Sequence, residues 1–404
     1  MKNKLNILLV AVMLFAGLGL ASCSDDEFTP SIFDTTDYPL DRHAETFPLD
    51  TFVKKNFLEP YNLRYLYKMQ DIGSDMQKNL VPCTYQKSVQ LAVLNKYLWY
   101  DVYKKWAGDD FLKEYSPRII HVIGSPAYNP TSGTVTLGTA EGGLKITLYN
   151  ANNIDLSDID NLNEYFFKTM HHEFGHILHQ NHLYPTSFGE ISKSSYHSSD
   201  WQDIGDSVAV AQGFASPYGS SQVREDWVEI LANYIVKDSI TWNTMLHCAT
   251  FDWEDVDYSE TDYEKLNQKV LAGIADRDSV GYGHYTNSGE FKVQRKVISR
   301  DANGYASGGK IEFLERDGID GKAVILQKLK MVKEWLMTYF SIDLDKLRNE
   351  VQSRQYVTNP DGSFKVVNGR LVNRLTTPLE SDPTKTLMDS LVSEVDAYKA
   401  LMVK

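Results

Sequence analysis

The sequence feature that most constrains the fold of this chain is a pair of histidines four residues apart, His172 and His176. They lie in a stretch of helical periodicity that predicts a helix over residues 159–180. The apolar face of this helix carries Phe167, Met170, Phe174 and Ile177. Because positions i and i+4 of a helix lie one above the other, the two imidazoles project together from another face and can bind one metal ion. Glu173, directly after the first histidine, is placed to act as a general base.

A hydrolytic zinc site takes a third protein ligand and leaves a fourth position for water, and the sequence offers two sources for that ligand. His182 stands six residues after the second histidine, but His179 occupies the position where a glycine would have to end the helix for His182 to turn back. A continuing helix carries His182 away by about 1.5 Å per residue. The other source is a helix predicted over residues 223–236, where Glu225 and Glu229 stand one turn apart. Spacing alone leaves both sources open.

Three further histidines crowd the motif, namely His171, His179 and His182. They have the residue type to bind a metal or to support a metal ligand. Apart from the alternative in which His182 is the third ligand, we expect them to be ordinary polar side chains near a helix end.

The first 22 residues have the pattern of a secretory signal. Two lysines precede an apolar stretch at residues 5–20, which is too short and too rich in glycine for a transmembrane anchor. The following Leu-Ala-Ser-Cys sequence resembles a bacterial lipobox, which implies cleavage before Cys23 and acylation of its thiol. The acidic run at residues 24–27 resembles the tether of lipoproteins that Bacteroidetes-type bacteria send to the cell surface. We therefore expect an outer-membrane lipoprotein exposed at the surface and held by its acyl chains.

The charge balance excludes one class of partner. Lys and Arg number 41 and Asp and Glu 54, so the net charge is −13, and removal of the signal with its two lysines makes it −15. No basic run reverses this balance locally, so we exclude nucleic acid. Once Cys23 is acylated, Cys83 and Cys248 remain, and an oxidising compartment permits both a disulfide and two free thiols.

Periodicity and turn residues divide the chain into elements. Helices are predicted at 84–107, 159–180, 223–236, 258–275, 320–356 and 384–402. Strands are predicted at 61–69 and 118–124, at 133–138 and 144–149 as a hairpin, and at 364–372 as a second hairpin around Asn368-Gly369. The predicted regions are a signal peptide over 1–22, a flexible tether over 23–42, a catalytic region over 43–277, an inserted loop or hairpin over 278–310 and a mostly helical C-terminal subdomain over 311–404.

Several motifs together resemble one protein family. The lipobox is followed by His172-Glu-Phe-Gly-His-Ile-Leu-His-Gln180, Gly213-Phe-Ala-Ser-Pro-Tyr218 and Glu225-Asp-Trp-Val-Glu229. This set resembles the zinc metallohydrolase lipoproteins of Bacteroidetes that are encoded beside outer-membrane nutrient-import systems. The resemblance covers most of residues 45–356, with the 278–310 stretch unlike the family. It implies an α+β, zincin-like fold with a small mixed sheet, an active-site helix and a mostly helical C-terminal subdomain.

The metal-site half is also similar to the peptidase domain of anthrax lethal factor, which is of the gluzincin type. This resemblance implies that Glu225 is the third zinc ligand and that Glu229 supports a ligand histidine. Glu229 as the third ligand is a less favoured alternative. It also implies that Tyr218, seven residues before Glu225, donates a hydrogen bond to the oxyanion of the tetrahedral intermediate. A phenol there would stabilise charge that develops only in the transition state.

The sequence therefore predicts a zinc metallopeptidase that acts on peptide or protein substrates at the bacterial surface, in association with an outer-membrane import system. The predicted strands between 133 and 149 are candidates for an edge to which a peptide adds as a further strand. The alternative is a non-catalytic zincin scaffold that captures peptide or glycan for the import system. The presence of Glu173 argues against it, because binding does not require a base.

Overall fold

The computed structural model describes residues 40–69, 79–128, 135–136, 138–141, 145–285, 289–299, 301–303 and 318–403. The signal peptide, Cys23 and most of the predicted tether lie outside these ranges. Residues 45–402 form one compact unit. The described residues 40–44 and 403 belong to a second unit, in which the backbone N–H of Val403 donates to the carbonyl oxygen of Arg42. Within the described ranges, no helix has both the length and the apolar character needed to cross a membrane.

Helices dominate the larger unit. In chain order they are α1 (Phe47–Val53), α2 (Glu59–Tyr61), α3 (Tyr85–Asn95), α4 (Asp101–Ala107), α5 (Asp109–Tyr115), α6 (Ile159–Leu162), α7 (Lys168–Asn181), α8 (Ser187–Ile191), α9 (Asp206–Ala211), α10 (Val223–Val236), α11 (Ser239–Cys248), α12 (Glu260–Leu271), α13 (Arg277–Val280), α14 (Gly321–Phe340), α15 (Leu344–Gln355) and α16 (Leu387–Asp396). A π-helical turn at Lys96–Tyr100 joins α3 to α4, and another at Asn163–Phe167 joins α6 to α7. The helices predicted over 84–107, 159–180 and 223–236 are thereby confirmed.

The main sheet is small and mixed, as predicted. The strands of the described residues are β1 (Arg64–Leu66), β2 (Ile119–Val122), β3 (Ala127–Tyr128), β4 (Val135–Thr136), β5 (Gly138–Glu141), β6 (Lys145–Leu148), β7 (Trp253–Val256), β8 (Tyr282–Tyr285), β9 (Phe291–Lys296), β10 (Val366–Val367) and β11 (Arg370–Leu371). The order in the main sheet is β1-β2-β6-β5, with β1, β2 and β6 parallel and β5 antiparallel at one edge. Both β5 and β6 pack against α7, so this edge lies next to the helix that carries the histidine pair.

Of the hairpins predicted at 133–149 and at 364–372, the first forms only in part and the second is confirmed. The hairpin predicted from 133–138 and 144–149 forms only in part, because β5 and β6 pair with each other whereas β4 pairs with β3. The hairpin around Asn368-Gly369 is confirmed, since β10 and β11 are antiparallel and both turn residues have positive φ, 52° and 75°. This is the geometry that an Asn-Gly turn favours.

The stretch predicted as an inserted loop or hairpin contains the antiparallel strands β8 and β9, which join β7 in a three-stranded sheet. The α+β class is confirmed. The division of the chain at residues 277 and 310 stays a prediction.

α7 and α10 pack closely against each other at Gly175. A Cβ atom at Gly175 of α7 would lie 2.9 Å from Cγ1 of Val228 and 3.1 Å from Cδ2 of Leu231, both on α10. Such contacts are too short for ordinary packing, so only glycine permits this approach. On a neighbouring face of α7, Phe174 packs edge-on against the rings of Trp99 and Tyr103. The histidine helix is therefore held between an aromatic core and α10.

Candidate metal centre

The two histidines of α7 meet as their spacing predicts. The Nε2 atoms of His172 and His176 lie 3.2 Å apart, and both side chains are largely buried. Together with Glu173 they offer ligand atoms within 4.8 Å of one another. Elsewhere in the part of the chain that the structure describes, no group of three or more His, Cys, Asp or Glu side chains is close enough together to hold a metal ion.

Glu225, in the first turn of α10, brings a third donor atom to this pair. Its Oε2 lies 3.2 Å from Nε2 of His172 and 3.0 Å from Nε2 of His176. Zinc bonds of 2.0–2.2 Å in a tetrahedral arrangement separate neighbouring ligand atoms by about 3.3 Å. Two imidazole nitrogens and one carboxylate oxygen at these separations fit zinc in chemistry and in spacing. We therefore regard Glu225, rather than Glu173, as the third member of the donor set.

Glu229, one turn further along α10, contacts the opposite nitrogen of His172. Its Oε1 lies 2.7 Å from Nδ1 of His172. The other oxygen accepts hydrogen bonds from the Ser216 hydroxyl and, at 2.9 Å, from Nδ2 of Asn233. A metal-binding histidine commonly donates its second N–H to such a carboxylate, which fixes the ring orientation. Glu229 thus lies where the family resemblance implies a supporting residue.

The charges around the centre favour a cation. Burial lowers the pKa of His172, but hydrogen bonds to Glu225 and Glu229 outweigh it and raise that pKa to about 10. Burial would raise the pKa of the Glu225 carboxyl, yet its hydrogen bonds with His172 and His176 hold it well below the usual value. Two ionised carboxylates in a buried setting therefore stabilise positive charge at the point where the donor atoms converge.

Glu173 differs electrostatically from the other two carboxylates. Burial raises its pKa above the usual glutamate value, with His172 and His176 opposing this effect and Glu225 adding to it. A carboxylate whose pKa is raised toward neutrality is better suited to accept a proton and to return it. Glu173 is therefore the acid–base candidate of the centre.

Tyr218 lies at the solvent-facing side of the histidine pair. Its ring stacks on His172 at 5.7 Å between centroids and meets the edge of Trp201 at 4.9 Å. It is 38% exposed, so its surface is open to a ligand. Burial and the Glu225 carboxylate raise its pKa, and the phenol keeps its proton at neutral pH. The segment with Trp201 is tied to the one with Tyr218 because the His197 N–H donates to the carbonyl oxygen of Ser220.

Comparison with known proteins places the chain in a family. A model of a protein family described as "Putative zinc-binding metallo-peptidase" matches residues 42–345. The chain belongs to this family. A crystal structure of a Bacteroides caccae protein with the same description is similar to this family member, with 31% identity and a TM-score of 0.53. The match covers 77% of this chain and 92% of that one. No curated protein matches the chain.

The family description also identifies the metal. Family and structural neighbour are both described as zinc-binding, and the His172, His176 and Glu225 donor set fits that ion. Zinc is therefore the cofactor of this metallopeptidase family member. The lipid anchor and the likeness to lethal factor stay predictions.

The structure separates the two histidines that follow the motif. His182 ends α7, its ring stacks on Tyr339 at 4.7 Å, and its carbonyl oxygen accepts a hydrogen bond from Trp335. It does not join the histidine pair. His179 does, because its Nε2 lies 2.9 Å from Nδ1 of His176. The expectation that His179 is an ordinary polar residue is corrected, and its i+3 spacing from His176 was the available signal.

Two other features of this family member frame the centre. His171 is fully buried beside the pair, with Nδ1 3.0 Å from the Tyr103 hydroxyl. Directly after Glu225, Asp226 forms a completely buried ion pair with Lys328 of α14, at 2.7 Å. The lysine also donates to the carbonyl oxygen of Gly213. This pair ties α10 to the C-terminal half of the chain.

Cys83 and Cys248, the cysteines of the described residues, are both free thiols.

Proposed function

We propose that this chain hydrolyses peptide bonds, with zinc held by His172, His176 and Glu225. The observation that carries the proposal is the single Glu225 oxygen within 3.2 Å of both imidazole Nε2 atoms, with Glu173 in the same cluster. Membership of a metallopeptidase family supports the same chemistry. Glu173 lies in the same cluster but outside the donor set, which is where a hydrolytic centre requires its general base.

Each side chain then has a distinct role. Zinc in such a site acts as a Lewis acid that acidifies a water molecule and polarises a carbonyl group. Glu173 accepts the proton of the attacking water and passes it to the leaving amine, and its raised pKa suits both transfers. Tyr218 keeps its proton and donates a hydrogen bond to the oxyanion that forms as the peptide carbonyl is attacked. Glu229 holds the ring of His172.

The position of β5 supports a peptide as the substrate. Among the described residues, β5 is one of the two edge strands of the main sheet, and it packs against α7, which carries both histidines. An extended peptide can add to such an edge through main-chain hydrogen bonds, which do not depend on its sequence. A peptide added to this strand would lie next to the helix that carries the histidines, so we propose a peptide or protein as the substrate.

The test compares the zinc-loaded protein with its Glu173→Gln variant on a peptide library. Loss of a general base costs about 10²- to 10⁴-fold in rate, so we expect cleavage by the wild type, almost none by the variant, and equal zinc content in both. Glu190→Gln, at an exposed helix position, serves as the matched control and should cleave normally. Equal cleavage by wild type and Glu173→Gln contradicts the mechanism. Peptide or glycan binding by the wild type without any cleavage instead supports the non-catalytic alternative.

We also propose that the enzyme is a lipoprotein of the outer membrane, anchored through Cys23 and exposed at the cell surface beside a nutrient-import system. The lipobox-like sequence and the acidic run after it support this location. A Cys23→Ala variant should move from the membrane fraction to the soluble fraction, and the wild type should be digested by protease added to intact cells. Retention of Cys23→Ala in the membrane contradicts the anchor. Recovery of import components with the wild type tests the association.

A further inference from the structure

The two zinc-site histidines are supported by different chemical groups. A histidine that binds a metal through Nε2 keeps a proton on Nδ1, and that N–H needs an acceptor. For His172 the acceptor is the Glu229 carboxylate. For His176 the atom at this position is Nε2 of His179, at 2.9 Å. A metal on Nε2 of His176 therefore makes His176 the donor and the neutral imidazole of His179 the acceptor.

Packing fixes the His179 ring in this place. His179 is only 6% exposed and lies one turn after His176 on the same face of α7. Its ring meets Tyr184 at 5.5 Å edge to face, and Tyr184 stacks on Trp227 of α10 at 5.0 Å. The ring is thus held by aromatic contacts that continue to the helix carrying Glu225.

The continuation of α7 beyond His176 is what makes this contact possible. The helix runs to Asn181, and the N–H of His182 still bonds to the carbonyl oxygen of Leu178. His179 therefore lies well inside the helix, at the position where a glycine would be needed for His182 to turn back, and its side chain contacts a metal-site histidine instead.

We infer that His179 is a positioning residue, which orients the His176 ring for zinc by accepting its Nδ1–H. The inference rests on the ligand set of the proposed function. Loss of such an outer partner typically weakens metal binding 10- to 100-fold. His179 acts only through His176 and does not touch the substrate.

Zinc affinity of the full chain, measured by competition with a chelator, tests the inference. His179→Phe keeps a ring against Tyr184 but removes the acceptor, and we expect zinc to bind 10- to 100-fold more weakly. His179→Gln places an amide oxygen close to the former Nε2 and should restore affinity to within a few-fold of wild type. His179→Asn is too short to reach His176 and should behave like the Phe variant. His247→Gln, at an exposed histidine far along the chain, is the matched control and should bind zinc normally.

Two further measurements separate positioning from a structural role. The visible spectrum of the cobalt-substituted protein should change in the Phe and Asn variants and not in the Gln variant, since cobalt reports the orientation of its ligands. The unfolding midpoints of the metal-free proteins should agree within error. If His179→Phe does not fold, the comparison of Asn with Gln decides alone.

The inference is overturned if His179→Phe and His179→Asn both keep the zinc affinity and cobalt spectrum of the wild type. It is also overturned if zinc affinity falls equally in His179→Asn and His179→Gln. A parallel His176→Ala variant should lose zinc. If His176→Ala binds zinc like the wild type, the proposed ligand set fails as well. If only the His179 variants behave normally, the ligand set stands and the inference alone is overturned.

Discussion

Glu225 uses its two oxygens for different purposes. Oε2 faces both imidazoles, and Oε1 accepts hydrogen bonds from Nε2 of Gln222 at 3.3 Å and Nε of Arg224 at 3.2 Å. Outer donors of this kind orient a carboxylate toward a metal before the metal arrives. Gln222 directly precedes α10, and Arg224 and Glu225 lie in its first turn. The start of this helix therefore determines where the third donor atom lies.

Replacement of Glu225 should therefore release zinc. In Glu225→Gln the donor carries no charge, and we expect zinc affinity to fall by more than the 10- to 100-fold typical of an outer partner. Chelator competition measures this. His182→Gln is the control, because its ring packs on Tyr339 instead, and its affinity should equal that of the wild type. Zinc loss in His182→Gln together with normal binding in Glu225→Gln would reverse the assignment of the third ligand.

At the residue scale, local spacing was a sufficient guide within one helix and insufficient between helices. His172, Glu173 and His176 follow from the geometry of a single helix. Glu225 lies 3.0 Å from His176 in space but on another helix, and no local rule gives that distance. Spacing left it in competition with His182. The histidine at residue 179, where a glycine would be needed, argued against His182, and the family resemblance favoured Glu225.

At the scale of elements, the crossing of α7 and α10 determines the site, because each helix carries part of the donor set. Gly175 lies between the two histidines and faces Val228 of α10. Val228 is β-branched and has little rotamer freedom in a helix, so it cannot readily turn aside. The two helices therefore approach each other at this point because residue 175 has no side chain.

A Gly175→Ala variant should push the two helices apart. Alanine favours the helix by about 1 kcal/mol, whereas overpacking costs about 1–3 kcal/mol. We expect a net destabilisation of roughly 1 kcal/mol by urea unfolding, with weaker zinc binding as Glu225 moves away from the histidines. Val228→Ala in the same protein removes the clashing atom and should restore zinc binding. If Gly175→Ala alone binds zinc as tightly as the wild type, the contact between α7 and α10 tolerates a methyl group.

The contact of α4 with α15 should give an acid-sensitive part of the stability. Burial would raise the pKa of Glu350, but Lys105 and Arg354 lower it below the usual value of about 4.3. The contribution is therefore present above about pH 4.3 and is lost as pH falls through the folded-state pKa. Glu350→Gln should lower the free energy of unfolding at pH 7 by about 0.5–1 kcal/mol. That difference should close in acid, and a constant difference at pH 7 and pH 3 would contradict the pairing.

The elements were predictable to different degrees. The helix over 223–236 was predicted to the residue, because apolar side chains recur in it at helical spacing. The pairing of β4 with β3 was missed, since partner choice between short strands depends on tertiary contacts that a local pattern does not contain. The π-helical turns at 96–100 and 163–167 were also missed, because one extra residue in a turn barely disturbs a helical pattern.

On the scale of the whole molecule, the buried pair of Asp226 and Lys328 joins regions that are far apart in the sequence. Both side chains are fully buried, and Asp226 also accepts a hydrogen bond from Tyr196 at 2.8 Å. Asp226 is the direct neighbour of Glu225, so the lysine of α14 helps to anchor the helix of the metal centre from the opposite side. The apolar core of this unit likewise extends from Leu49 to Val395.

Lys328→Met should leave the Asp226 charge buried without a cation. Loss of one partner of a buried pair typically costs about 3–5 kcal/mol, and urea unfolding of the metal-free protein measures it. A double variant, Lys328→Met with Asp226→Leu, removes both charges and should recover most of that loss. A single variant as stable as the wild type would contradict the importance of the pair.

The same pair has an evolutionary consequence. Loss of either Asp226 or Lys328 alone leaves an unpaired buried charge and destabilises the fold, whereas loss of both does not. Evolution therefore has to replace the two residues together, although they lie about a hundred positions apart in the sequence. Relatives should therefore hold the aspartate and the lysine as a unit or have neither. In relatives that retain both Asp226 and Lys328, we expect the position of α10, and with it that of Glu225, to vary little.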